Sequence, residues 1–274
     1  MYHVIAKDTI MNEMVPNLPT GKRGFKPGAP LCEIVNAILF KLKTGIQWKL
    51  LPVKSLFTGR VLCWNTVYHH YRKWCKMNAW EACWISLLSR HKKTLDLSSA
   101  DLDGSHSTAL KGGEQVSYQG RKKRKTTNSL YLSDRQGIPI ALSSPTAGAH
   151  NDLYQIEVKF EEIIRTVTSA GISIDGLFIN ADAGFDSNEL RRVCGAKGMQ
   201  ANICFNKRNR QSEREEYFDA VLYKERYSIE RTNAWMDSYR SVLNRFDTTV
   251  SSWLGFNYLA FMAIFFKKIR KLKV

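Results

Sequence analysis

From about residue 97 to residue 246 the apolar spacing switches between two and about 3.6 residues in one order: three strand-like runs, then helix, strand, helix, strand and helix. The strand-like runs are 97 to 103 (LSSADLD), 128 to 133 (NSLYLS) and 138 to 144 (IPIALSS), and Asp134 to Gly137 supplies a hairpin turn between the last two. A predicted helix from about Leu153 to Ser169 leads to Leu177-Phe178-Ile179, a continuous apolar run expected of a central strand covered on both faces. A helix over 187–196, a strand over 200–205 and a long helix from about Val221 to Phe246 follow. Consecutive strands with short connections form an antiparallel meander, whereas strand–helix–strand units lead to parallel pairing. The order predicts an α/β fold, a mixed sheet with helices on both faces.

The first 92 residues have a different texture. Helical spacing is predicted over 31–43, where Ile34, Val35, Ile38, Leu39 and Leu42 share a face before Thr44-Gly45, and again over 63–74 and 79–88. Lys22, Arg23, Lys26, Lys41, Lys43, Lys49, Arg72 and Lys73 are distributed around these helices. The expectation is a small all-α N-terminal domain, residues 1–92, that binds DNA, followed by the mixed-sheet domain at 93–274. Charge supports a polyanionic partner: 41 Lys and Arg stand against 25 Asp and Glu, a net +16. Membrane is the poorer candidate, because the apolar run Trp253 to Phe266 is shorter than the roughly 20 residues that span a bilayer and reads as a buried helix. The opening MYHVIAKDTIMNEMVP is too polar for a secretory signal, which makes cytoplasm the expectation. Six cysteines without a C-x-x-C pair argue against a zinc or disulfide framework.

Three carboxylates lie at element boundaries or flanks. Asp103 is expected to close the first strand before Gly104 and Ser105, at the carboxyl end where α/β sheets gather their sites. Asp101 shares its face, so strand period alone does not choose between them. Asp182 follows the central strand in FINADAGFD, whereas Asp186 precedes Ser187, where an aspartate commonly caps a helix. On the last long helix, Leu222, Ile229, Met236 and Leu243 mark a buried stripe, and Tyr223, Arg226, Tyr227 and Glu230 form the adjoining face. Arg226 and Glu230 could be only an i, i+4 pair. Taken together, the three carboxylates are hard oxygen donors suited to Mg²⁺ or Mn²⁺, and two such ions support in-line displacement at phosphorus.

Larger blocks then carry a resemblance. RGFKPGAPLCEIVNAILFKLKTGIQWKLLP (23–52), DLDGSHSTALKGGE (101–114), LSDRQGIPI, AGAHND (147–152), NADAGFDS and YKERYSIERTNAWM (223–236) resemble, in order and spacing, the DDE transposases of bacterial insertion sequences, in the insertion sequence five group of the insertion sequence four superfamily. The resemblance implies a ribonuclease-H-like catalytic domain with Asp103, Asp182 and Glu230 as catalytic residues and as ligands of two Mg²⁺ or Mn²⁺ ions. Its third-block signature has tyrosine, two intervening residues, arginine, three intervening residues, glutamate, six intervening residues and then a basic residue. Tyr223, Arg226 and Glu230 match; Asp237 occupies the basic position, and Arg240 is the substitute expected to contact DNA. The implied activity is binding of terminal inverted repeats, cleavage at the element ends and joining of the 3′-hydroxyl to target DNA. The implied partner is double-stranded DNA, engaged by a homodimer or larger assembly near the nucleoid. A non-enzymatic DNA-binding derivative and a structure-specific nuclease of the same fold are the alternatives. The run Arg121, Lys122, Lys123, Arg124 and Lys125 is expected to be a loop contacting DNA phosphates without reading sequence.

Overall fold

The computed structural model describes residues 3–20, 27–206 and 217–272, with side chains described as far as residue 269. Lys22, Arg23 and Lys26, and most of the charged segment 206–219, lie outside the described residues. The main elements are α1 (Leu31–Thr44), α2 (Trp64–Lys76), α3 (Ala79–His91), β1 (Ser99–Ala109), β2 (Ser117–Gln119), β3 (Arg124–Asp134), β4 (Pro139–Leu142), β5 (Thr146–Ala147), α4 (Ile156–Ser169), β6 (Phe178–Ala181), α5 (Asn188–Ala196), β7 (Gln200–Ile203), α6 (Ala220–Lys224), α7 (Tyr227–Asp237), α8 (Arg240–Leu243) and α9 (Val250–Leu272). They divide into two compact units, Leu88–Ala109 with Gln115–Trp235, and Met1–Leu87 with Leu110–Glu114 and Met236–Val274.

The first of these units is built on a sheet of order β2-β3-β1-β6-β7, with β4 and β5 also pairing with β3. β1 and β3 are antiparallel from Ala100↔Asp134 to Thr108↔Thr126, while β6 runs parallel to both β1 and β7. The meander followed by parallel strands is the ribonuclease-H-like arrangement. Helix α4 lies against β3 and β4, and α5 against β7. Leu102, Leu132, Ile140, Phe160, Ile163, Ile179 and Ile203 are buried between these layers. Burying each such side chain contributes on the order of 1.5–3 kcal/mol. The β3–β4 turn is tied by the Asp134 carboxylate, which accepts from Ile138 N at 2.7 Å, Gln136 N at 3.1 Å and Asp96 N at 3.1 Å. Gly137 has φ +81°, a left-handed conformation that glycine adopts without Cβ strain.

Two expectations need correction. The first strand does not end at Asp103 but continues to Ala109, because its ladder with β3 holds Gly104 and Ser105 extended despite their turn-forming character. The expected long helix from 221 to 246 is three short ones, α6, α7 and α8. The second interruption is held by tertiary contacts: Lys43 Nζ donates to the Ser238 carbonyl at 3.0 Å and lies over the Tyr239 ring, whose residue adopts an extended conformation. A heptad of apolar residues continues through such a break unaltered, so the pattern could not reveal it.

In the helical unit, α1 ends at Gly45 with φ +70°, as its Thr44-Gly45 stop suggests. The C-terminal helix α9 completes the core: Phe256 stacks on Tyr71 with centroids 4.5 Å apart, and Phe261 and Phe265 meet Trp84 edge-on. Gly255 allows the close approach of α9 and α2, since a Cβ there would lie 2.7 Å from Cys75 Sγ. The apolar run at Trp253 to Phe266 is thus core, and no described helix is long and apolar enough to cross a membrane.

Candidate active site

Two of the carboxylates lie on or just beyond the parallel strands β1 and β6. Asp101 is opposite Asn180 at the last pair of the ladder; Asp103 lies two residues further along β1, and Asp182 follows just beyond the end of β6. The Asp101–Asn180 pair is structural in its contacts. Asp101 is buried and accepts from Asn180 Nδ2 at 2.9 Å and from the Ser228 hydroxyl of α7. Burial raises its carboxyl above the ordinary value, while those two donors oppose the rise. Asp101 therefore joins β1, β6 and α7, a structural duty between three elements.

Asp103 accepts from Asn233 Nδ2 at 3.0 Å, and the Oδ1 of Asn233 is buried without a hydrogen-bond partner. Burial pushes the Asp103 carboxyl up to about 6; Gly104 N–H and Arg226 oppose this, and the charges of Glu230 and Asp182 add to it. The three carboxylates thus lie in one electrostatic neighbourhood. Asp182 follows β6 and opens a short helical turn, where its Oδ1 accepts from Gly184 N at 2.8 Å. That capping duty was not expected of it. Glu230 lies in the first turn of α7 with its side chain 63% exposed, and Arg226 Nη2 is 3.8 Å away, a loose ion pair. Among the described residues no three His, Cys, Asp or Glu side chains converge closely enough to hold an ion.

The donor chemistry nevertheless fits a hard divalent cation. Asp103 lies in β1 and Asp182 just after β6, Glu230 is exposed and only loosely paired with Arg226, and the repulsion felt at Asp103 is of the sign that a cation relieves. The unpartnered Asn233 Oδ1 adds a neutral oxygen beside Asp103. Asn233 was missed in the sequence, where only its place three residues after Glu230, on the same helical face, could have marked it.

Neighbouring acids have other duties. Asp186 does not cap α5; Ser187 does, accepting from Leu190 N at 3.2 Å, and Asp186 instead forms a buried pair with Arg191 at 3.0 Å. Asp152 does not cap α4, whose N-cap is Gln155. Its carboxylate accepts from Asn128 Nδ2 at 2.6 Å and rests so close to Gly104 that a Cβ there would meet it at 2.1 Å. This explains glycine immediately after Asp103.

The residues expected to meet DNA are spread over several elements. Arg121, Lys122 and Lys123 form the exposed turn of the β2–β3 hairpin, but Arg124 and Lys125 belong to β3, paired with Gln119 and Tyr118. The basic run is therefore a hairpin tip rather than a free loop. Tyr223 is in α6 and Arg226 lies between α6 and α7, its guanidinium 5.9 Å from the Tyr223 ring. Asp237 ends α7 and Arg240 begins α8, so the two are not successive turns of one helix.

The family model described as "DDE superfamily endonuclease" matches residues 102–254, and the one described as "Putative transposase of IS4/5 family" matches residues 8–84. The chain is similar to the "Insertion element IS402 uncharacterized 16.2 kDa protein" of Burkholderia cepacia, 28% identical over 113 residues that cover 39% of this chain and 74% of that protein. Among solved structures, the Mos1 transposase paired-end complex with left transposon end is 12% identical with a TM-score of 0.29, over 90% of this chain and 80% of that one. The Mos1 Strand Transfer Complex is 10% identical with a TM-score of 0.29 over the same shares.

Proposed function

The chain belongs to the DDE superfamily endonucleases and is a DDE transposase, and on that premise we propose that it binds the terminal inverted repeats of an insertion sequence, cleaves the element ends and joins the 3′-hydroxyl to target DNA. The observation that supports the reading is the position of Asp103 two residues beyond the Asp101–Asn180 pair, where the charges of both Asp182 and Glu230 are felt. Asp103, Asp182 and Glu230 are the residues that would hold divalent cations, Mg²⁺ or Mn²⁺ and two in number on this reading, which would supply Lewis acidity for in-line displacement at phosphorus.

The protein's own groups orient this set. Asn233 fixes the Asp103 carboxylate by donating to Oδ2, and Gly184 N–H fixes that of Asp182. Asp101, Asn180 and Ser228 lock α7 to β1 and β6, which keeps Glu230 at a constant height beside the strands. Such support matters because a misplacement of about 1 Å can cost on the order of 100-fold in rate. Arg226, with its side chain 20% exposed, offers a cation beside the carboxylates for a DNA phosphate. The exposed cations at the β2–β3 tip add sequence-independent attraction to the DNA backbone.

The experiment is cleavage and strand transfer on a duplex bearing the inverted repeat, with and without Mg²⁺. Cleavage followed by joining supports the transposase reading. Cleavage without joining under any divalent ion would favour the structure-specific nuclease, and binding without cleavage the non-enzymatic derivative.

A further inference from the structure

A cavity of about 860 Å³ lies wholly within the helical unit and is unused by the proposed chemistry. Three of its lining residues, Trp64, Tyr68 and Arg72, follow one another at intervals of four along α2 and so form a single stripe on one helix face. The Trp64 side chain is 38% exposed, and the Arg72 guanidinium is held 5.8 Å from the Tyr68 ring. Trp48 forms the floor, with its ring 5.1 Å from that of Tyr68 and stacked at 6.3 Å on Phe256. Phe246, 44% exposed, also lines it.

Charge completes the chemistry. Lys41, Lys49, Arg72 and Lys111 line the cavity against one acid, Asp247, whose charge is itself faced by Lys41 and Arg245. Lys41 is buried and donates to Ser241 Oγ at 3.2 Å, which fixes its ammonium at the wall. Partly exposed aromatic rings with cations around them suit a ligand that offers both a flat π-face and a phosphate. In duplex DNA the base faces are occupied by stacking, so only an unpaired nucleotide presents both groups. A purely apolar ligand would leave the cations unused, and a simple anion would leave the aromatic faces unused.

We propose that this cavity binds an unpaired nucleotide of the DNA substrate, its base stacking among Trp64, Tyr68 and Trp48 and its phosphate meeting Arg72 and Lys111. The inference takes DNA as the partner from the proposed function but does not depend on cleavage.

The test uses the full chain with EDTA present, and two probes: a blunt duplex, and the same duplex with a short 3′ overhang carrying a fluorescent adenine analogue. The unaltered protein should prefer the overhang by about 10-fold and quench the analogue through stacking. Trp64→Ala should reduce that preference while leaving blunt-duplex affinity within about twofold, Arg72→Ala should weaken overhang binding more than blunt-duplex binding, and Trp64→Phe should retain the quenching. Unchanged preference and quenching in Trp64→Ala, or an equal loss on both probes, would overturn the assignment. Blunt-duplex binding with no overhang preference in the unaltered protein would overturn the cavity assignment alone; absence of binding to either probe would overturn it together with the functional reading.

Discussion

Asn233 Nδ2 donates to Asp103 Oδ2 at 3.0 Å, so a helix that carries one of the three carboxylates also orients another. Replacement by alanine removes the donor and the buried oxygen beside it. Asn233→Ala is expected to lower Mg²⁺-dependent cleavage by about 10- to 100-fold with the fold retained, as is usual for groups that orient metal ligands. Full activity in Asn233→Ala, with matching circular dichroism, would show that the contact has no part in the chemistry.

Asp101 and Asp103 should separate in their effects. Asp101→Ala leaves the buried Asn180 amide and Ser228 hydroxyl without their acceptor, a loss of roughly 1–3 kcal/mol for each unsatisfied group. Asp103→Asn should alter denaturant stability little and abolish cleavage. A stable, inactive Asp101 variant beside an active Asp103 variant would reverse the assignment.

Much of the mixed sheet was legible. The order of strands and helices, the Asp134–Gly137 turn and the element following Leu177 all come from hydrophobic period and turn chemistry, which are local properties. The site was legible only as far as its ingredients. Alternation puts Asp101 and Asp103 on one face but is silent on which of them meets Ser228 and Asn180, because those partners are distant in sequence. The same limit explains β1: the Asp103-Gly104-Ser105 turn signal is local, whereas the ladder with β3 and the seat of Asp152 against Gly104 are not. The break at Ser238 depends on Lys43, nearly two hundred residues away.

The basic hairpin tip should act through charge alone. Replacing Arg121, Lys122 and Lys123 by glutamine is expected to weaken binding to specific and random DNA alike, and to flatten the dependence of log affinity on log salt by up to about 0.9 per lost phosphate contact. Filter binding or anisotropy over a salt series measures this. A loss of specificity at an unchanged slope would mean that the tip reads bases.

The helical unit should depend on the chain's C-terminus. A fragment of residues 1–92 exposes Tyr71 and Trp84 faces that Phe256, Phe261 and Phe265 otherwise cover. It is expected to lack a cooperative thermal transition by circular dichroism. A cooperative transition, with preference for a terminal-repeat duplex over scrambled DNA, would instead establish residues 1–92 as an independent domain.

The most direct test of the central claim is Mg²⁺ titration of end cleavage by the unaltered protein and by Asp103→Asn, Asp182→Asn and Glu230→Gln. DNA binding and thermal stability are measured on the same preparations. The account predicts that each substitution abolishes cleavage at every Mg²⁺ concentration while DNA affinity stays within a few-fold. Cleavage by all three variants at the unaltered rate would contradict it and remove these carboxylates from the chemistry.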